Sequence, residues 1–177
     1  MDGTVRIDTE RFLLRELSEG DVTERYLSWL DDASTKKYIT YAEKEKSLSD
    51  LMQYVRDRVG REDILFLGIF DRDTGLHIGN IKYEPVNVEK GYATMGLMIG
   101  DPAYRGKGVA AEVLTASARW LRMNRKTRQI VLGVSSDNAA AIRAYERAGF
   151  EISDTEFIRR RPDAHAMVLN LEKEQGR

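Results

Sequence analysis

Four residues in one short turn carry the clearest chemistry in this chain: Arg105, Gly106, Lys107 and Gly108, within Asp101-Pro-Ala-Tyr-Arg-Gly-Lys-Gly-Val-Ala-Ala111. The turn joins an apolar segment, Thr94 to Gly100, to a segment of helical periodicity beginning at Val109. A strand-to-helix turn of this kind presents free backbone N–H groups, with the positive end of the helix dipole behind them. Such a site binds anions, above all phosphate. Gly106 and Gly108 let the backbone approach a ligand without a Cβ in the way. Arg105 and Lys107 add charge that a phosphate can use.

Several ligands compete for such a turn. A P-loop needs Gly-Lys followed by Ser or Thr, and here Lys107 precedes Gly108 with no hydroxyl after it. The dinucleotide fingerprint is met on its face as Gly106-x-Gly108-x-x-Ala111. Its context is wrong, because the next β-rich run, Gln129 to Val134, ends without an Asp or Glu to grip a ribose. A glycine-rich connection with no ligand is the plain alternative. The pattern Arg105-x-x-Gly108-x-Ala110 fits a loop that receives a pyrophosphate end-on.

The elements that must position this turn are legible in outline. Arg11 to Leu17 reads as a first strand. Helices follow from Val22 to Leu30, with Ser18 and Asp21 as candidate caps, and from Ser47 or Ser49 to about Val59. The stretch Asp31 to Lys46 between them is polar. Ile64 to Phe70, His77 to Tyr83 and Tyr92 to Ile99 read as strands joined by short turns, hence antiparallel. In the helix from Val109 to about Met123, the residues Val109, Val113, Leu114, Ser117 and Leu121 share a face. A strand at Gln129 to Val134 and a helix from Ala139 to Ala148 follow. Phe150 to Ile158 and Ala164 to Leu171 look like a closing hairpin. The predicted fold is α/β: one mixed, mostly antiparallel sheet of about seven strands with helices on both faces.

Composition narrows the function classes. A chain of 177 residues fits a single domain, 1–177, with a sizeable core. With 28 basic and 29 acidic residues the net charge is −1, which points to neither a nucleic acid nor an anionic membrane as partner. The densest basic run, Arg159-Arg160-Arg161, reads as a solvated turn beside Pro162. There is no Cys, so disulfides, thiolate metal sites and a Cys nucleophile are excluded. His77 and His165, the only histidines, are too far apart in sequence to suggest a metal site. No signal-type or membrane-spanning apolar run is present, and the chain reads as cytoplasmic.

A second stretch bears on the choice of ligand: Asn138-Ala-Ala-Ala-Ile-Arg-Ala-Tyr145, then Arg147-Ala-Gly-Phe150. With the loop from Gly100 to Ala110 some thirty residues before it, the chain resembles the GNAT superfamily of acetyl-CoA-dependent N-acetyltransferases, close to the branch that acetylates ribosomal-protein alanine. The resemblance is sharp from about Ile78 to Phe150 and elsewhere holds only in layout. It implies acetyl-CoA as cosubstrate, its pyrophosphate on Arg105, Gly106, Lys107, Gly108, Val109 and Ala110. It further implies that the pantetheine arm enters between two splayed strands, meeting backbone groups of Met98 and Ile99 as an added strand would. Asn138 and Tyr145 lie two helical turns apart, about 10 Å along the axis. Asn138 then contacts the arm or caps the helix. Tyr145 is the implied general acid for the departing thiolate, since an ordinary phenol keeps its proton at neutral pH; packing is its other reading.

The resemblance implies direct transfer to a primary amine, with a small-molecule acceptor, an amino sugar, placed ahead of a protein N-terminus; a non-catalytic acyl-CoA-binding module is the reading from another class. The enzyme is expected as a monomer or homodimer. Relatives often carry a Glu within Ala93-Thr94-Met95-Gly96, where this chain has Thr94. Thr94 cannot act as a base. Glu84, His77, Tyr38 and Tyr41 are the candidates, unless the acceptor amine is weakly basic and needs little help. Tyr38, Tyr41 and Trp29 are candidates to stack on a sugar ring.

Overall fold

The computed structural model describes residues 4–44 and 46–172. In chain order the elements are β1 (Arg6–Asp8), β2 (Phe12–Glu16), α1 (Glu24–Trp29), α2 (Ala33–Tyr38), α3 (Leu48–Arg56), β3 (Leu65–Asp71), β4 (His77–Asn87), β5 (Tyr92–Ile99), α4 (Val109–Arg125), β6 (Gln129–Ser135), α5 (Ala139–Arg147), β7 (Glu151–Ile152) and β8 (Ala164–Asn170). The strands form one sheet in the order β1-β2-β3-β4-β5-β6-β8-β7. Every pairing is antiparallel except β5 with β6.

Two apolar clusters cover the two faces. One packs the inward face of α4, with Val113, Leu114 and Leu121, against Ile81, Tyr83, Ile130 and Leu132 of the sheet. The other packs Tyr26, Trp29, Leu51 and Val55 of α1 and α3 against Phe66 and Phe70 of β3. Strand alternation divides β5 between them: Ala93, Met95, Leu97 and Ile99 join the α4 side, and Met98 joins the α1–α3 side. All five residues predicted to share a face of α4 are buried.

The structure differs from the sequence reading at four places. The Thr23 hydroxyl accepts from Tyr26 N–H and starts α1 at Glu24, while Ser18 and Asp21 close a separate 3₁₀ turn. The polar stretch after Asp31 contains α2, capped by Asp32, whose carboxylate accepts from Ser34 and Thr35 N–H. Arg6–Asp8 pairs with Arg15 to Leu13 as an additional edge strand, giving eight strands rather than seven. The closing hairpin is lopsided: only Glu151–Ile152 pairs with β8, because the polar run Ser153-Asp-Thr-Glu156 turns away. Phe157 instead stacks on Tyr92, with ring centroids 4.0 Å apart.

Candidate active site

The site begins where two strands part. β5 and β6 pair in parallel at Tyr92–Gln129, Ala93–Ile130 and Thr94–Val131, and no further. β5 continues to Ile99 along β4, and β6 continues to Ser135 along β8. From Met95 onward one edge of β5 therefore faces a cleft of about 680 Å³. Its walls are β5, β6, the first turns of α4 and α5, and α2.

The glycine turn closes one end. Gly106 (φ +70°) and Gly108 (φ +75°) are both left-handed, and Gly108 is the residue that starts α4. Space around Gly106 is open, so it is backbone conformation that demands glycine there. The turn is braced from two sides. Arg105 donates from Nε to the Ile99 carbonyl at 3.0 Å and from Nη2 to the Gly100 carbonyl at 3.2 Å. Arg11 donates from Nη1 to the Lys107 carbonyl at 3.0 Å and from Nε to Glu112 at 2.7 Å. Glu112 also accepts from the Thr9 hydroxyl at 2.7 Å. Burial opposes ionisation of Glu112, but the hydrogen bonds from Arg11 and Thr9 prevail and hold it below the usual carboxylate range. Its charge is thus offset within the first turn of α4.

Seven of the predicted site residues share this one cleft: Met98, Ile99, Arg105, Gly106, Ala110, Asn138 and Tyr145. Three stand differently. The Lys107 side chain lines a separate hollow with Arg11, Asp71 and Tyr104. Val109 is buried in the core, leaving its backbone N–H as its only means of contact. Gly108 contributes conformation. Arg105, expected as a phosphate charge, spends two of its donor groups on tying the end of β5 to the turn.

Asn138 caps α5, its Oδ1 accepting from Ala141 N–H at 3.2 Å, while its side chain still lines the cleft. The cap occupies the amide oxygen and leaves the amide donor for a ligand. Tyr145 packs its ring against Phe150, with centroids 5.8 Å apart. Burial pushes its phenol up to about 12, so the proton is retained at any working pH. Both readings of Tyr145, packing and proton donation, use the same geometry.

A second, smaller cavity of about 230 Å³ lies across β5 on the α1–α3 side. It shares Tyr38, Ile39, Gly96, Leu97 and Met98 with the cleft. Two sequence candidates for the base, Tyr38 and Tyr41, line it; Glu84 and His77 do not. Glu84 is ion-paired to Lys82 at 2.8 Å and Arg58 at 3.0 Å. Burial works against its charge, but those two cations hold it below its ordinary value. The half-buried His77 ring stacks on Phe70, and desolvation lowers its pKa from the ordinary imidazole value. Trp29, considered for sugar stacking, is buried between Tyr26 and His77. Thr94 lines neither cavity; it sits at the last paired position before the strands part. Sequence reasoning missed α2, which supplies Ser34, Thr35 and Tyr38 to the cleft wall. Its signal was Asp32, a capping residue followed by residues able to take the cap. Lys37 of α2 also reaches Asp137 beyond β6 at 2.8 Å, an exposed pair that straddles the cleft mouth.

A mixed sheet with a parallel splay and a glycine turn at its mouth defines a protein that holds an extended phosphate-bearing cofactor between strands. The family model described as acetyltransferase (GNAT) domain matches residues 11–151. The chain belongs to that family, whose acyl donor is acetyl-CoA. It is 31% identical over 96 residues, or 54% of its length, to a mycothiol acetyltransferase of Corynebacterium efficiens, and spans 30% of that relative's length. A spermidine N-acetyltransferase from Vibrio cholerae, solved with CoA and spermine, shares the fold with a TM-score of 0.77 and 21% identity, covering 92% of this chain and 97% of the other. A ribosomal-protein α-N-acetyltransferase solved with CoA gives 0.81 and 16% identity over 94% of this chain and 98% of the other. Among the described residues no helix is long and apolar enough to cross a membrane.

Proposed function

We propose that this chain transfers an acetyl group from acetyl-CoA directly to the primary amine of a small molecule, an amino sugar being the favoured acceptor. One observation carries this reading: two cavities meet across Gly96, Leu97 and Met98. The larger has the length and free strand edge for a pantetheine arm, and the smaller holds an acceptor opposite the acyl end. Turn N–H groups from Gly106 to Ala110 receive the pyrophosphate. Backbone groups of Met98 and Ile99 pair with the arm, and an N–H in this stretch of β5 polarises the thioester carbonyl. The amine attacks that carbonyl, the nitrogen of the tetrahedral intermediate loses a proton to solvent, and the intermediate collapses as Tyr145 gives its proton to the departing CoA thiolate, solvent then reprotonating the phenolate. Tyr38 and Tyr41, on the acceptor side, offer faces for a sugar ring. We further propose that residues 1–177 act as one domain, as a monomer or homodimer in the cytoplasm.

A thiol-release assay with acetyl-CoA and an amine panel tests the reading. Acetyl-CoA-dependent release of free CoA with an amino sugar supports it. Release only with a peptide bearing a free N-terminus moves the acceptor to proteins. Cofactor binding with no turnover on any amine replaces the enzyme with a binding module.

A further inference from the structure

The smaller cavity has a chemistry of its own. Tyr26, Tyr38, Tyr41, Tyr54 and Phe66 line it, and Lys82 is the only formal charge on its wall among the described residues. More cations stand behind the rings. Lys37 lies 4.8 Å from the Tyr38 ring centre, Lys46 4.8 Å from Tyr41 and Arg58 3.7 Å from Tyr54. Lys82 Nζ donates to the Tyr54 hydroxyl at 2.7 Å. The carboxylates Glu84 and Asp137 are already paired, with Lys82 and Arg58 and with Lys37, and Asp50, which lies near Tyr41, accepts from Ser47. Three of these five rings thus already hold one of the protein's own cations against a face, where a cationic amine would compete with it.

One donor in this wall forms no hydrogen bond of good geometry, although the Tyr26 phenol lies within reach of its amide. Asn80 is buried, and its Nδ2 makes no hydrogen bond among the described residues. The orientation of this amide is fixed by His77. His77 Nε2 lies 3.0 Å from the Gly79 carbonyl and 2.8 Å from Asn80 Oδ1, two acceptors, so Nε2 carries the proton and the amide oxygen faces it. Nδ2 is then the amide group without a formed bond, on a residue that lines the pocket. A buried donor without a partner is costly, and a bound oxygen would relieve it.

We propose that this pocket takes a weakly basic, ring-bearing primary amine in its neutral form, and that Asn80 Nδ2 donates to an oxygen of that acceptor. This deepens the proposed function and rests on it. It also gives a reason why the chain manages with Thr94. An amine in the α-amino range, with a pKa of about 7.7–8.0, is substantially neutral near pH 7.5, whereas an alkylamine near 10.4 is almost wholly charged. An acceptor of the first kind attacks without a carboxylate base, and a pocket edged with cations favours its neutral form.

The test uses the full chain, saturating acetyl-CoA and three acceptors: glucosamine, phenylalaninamide and spermidine. kcat/KM near neutral pH is expected to be about tenfold or more higher for the first two than for spermidine, following the neutral fraction of each amine. The acidic limb of each pH profile is expected to move with the acceptor's own pKa. Asn80→Ala is expected to raise KM for the preferred acceptor with kcat and the acetyl-CoA KM unchanged, whereas a merely structural Asn80 would alter all three. Asn80→Asp, or Lys82→Gln should the first not fold, is expected to narrow the gap to spermidine. Preference for spermidine in the unaltered chain overturns this inference while leaving the small-amine reading intact. No turnover of any of the three, with acetyl-CoA bound, overturns both.

Discussion

In the proposed mechanism Tyr145 must keep its proton until the thiolate leaves, and its surroundings fit that need. Burial beside Phe150 pushes the phenol up to about 12, so this residue imposes no descending limb on the rate below that pH. In the proposed role Tyr145→Phe lowers kcat, by about a hundredfold if proton donation carries its usual weight, and leaves the acetyl-CoA KM alone. Initial rates with varied acetyl-CoA check this; wild-type kcat in the variant would return Tyr145 to packing alone. Spacing placed Tyr145 and Asn138 on one helix face, and both line the cleft. It could not show that the cap uses only the Asn138 amide oxygen, because a cap and a ligand contact have the same sequence signature. Trp29 failed as a stacking candidate for a related reason: an aromatic in a short helix reads the same whether it packs inward or faces a pocket.

At the scale of elements, the turn between β5 and α4 depends on braces from distant parts of the chain. Arg11, at the start of β2, holds the Lys107 carbonyl and offsets Glu112. Arg11→Ala is expected to raise the acetyl-CoA KM about threefold to tenfold, roughly one hydrogen bond's worth, with kcat little changed. Steady-state kinetics with varied cofactor measures this, and an unchanged KM would show that the turn holds its shape unaided. The turn itself was legible because glycines and cations at a strand-to-helix junction have few other uses. Its braces were not, since Arg11 and Glu112 are brought together by the sheet and not by spacing. α2 was missed because a six-residue helix carries too little periodicity to register, and Asp32 was its only local sign. The smaller cavity was beyond reach for the same reason as the braces, being assembled from α1, the end of α2 and the segment after it, α3 and β3 to β5.

For the molecule as a whole, the sheet is a single wall with two cavities that meet at β5, to which the proposed function assigns the cofactor and the acceptor. Period-two alternation in the strands and the apolar stripe of α4 made this layout predictable, whereas the short edge strand β1 and the truncated β7 were not. Leu114, buried between α4 and the sheet, is expected to cost about 2–5 kcal/mol on change to alanine, measured by denaturant unfolding; a much smaller loss would mean that α4 contributes little to the core. Acid stability has an identifiable contributor. Burial raises the Asp21 pKa, but hydrogen bonds from Arg15 and Ser18 outweigh it and bring the carboxyl from 3.8 down to about 2. The native-state pKa is depressed, so the contribution is full above about pH 4 and is lost as pH falls through about 2. With solvent screening of a partly exposed pair it amounts to about 1 kcal/mol. Asp21→Asn should therefore destabilise the protein at pH 7 and cease to matter near pH 2; an equal effect at both would contradict the assignment.

The central claim is that acetyl-CoA seats its pyrophosphate on the turn that begins α4. Calorimetric titration of acetyl-CoA into the wild-type chain and into Gly108→Glu, with circular dichroism to establish that both are folded, tests it most directly. Gly108 has φ +75° at the head of α4, where a Glu side chain adds bulk, strain and negative charge. Binding by the wild type and none by a folded Gly108→Glu is the predicted result, and equal affinity in the two would contradict the claim.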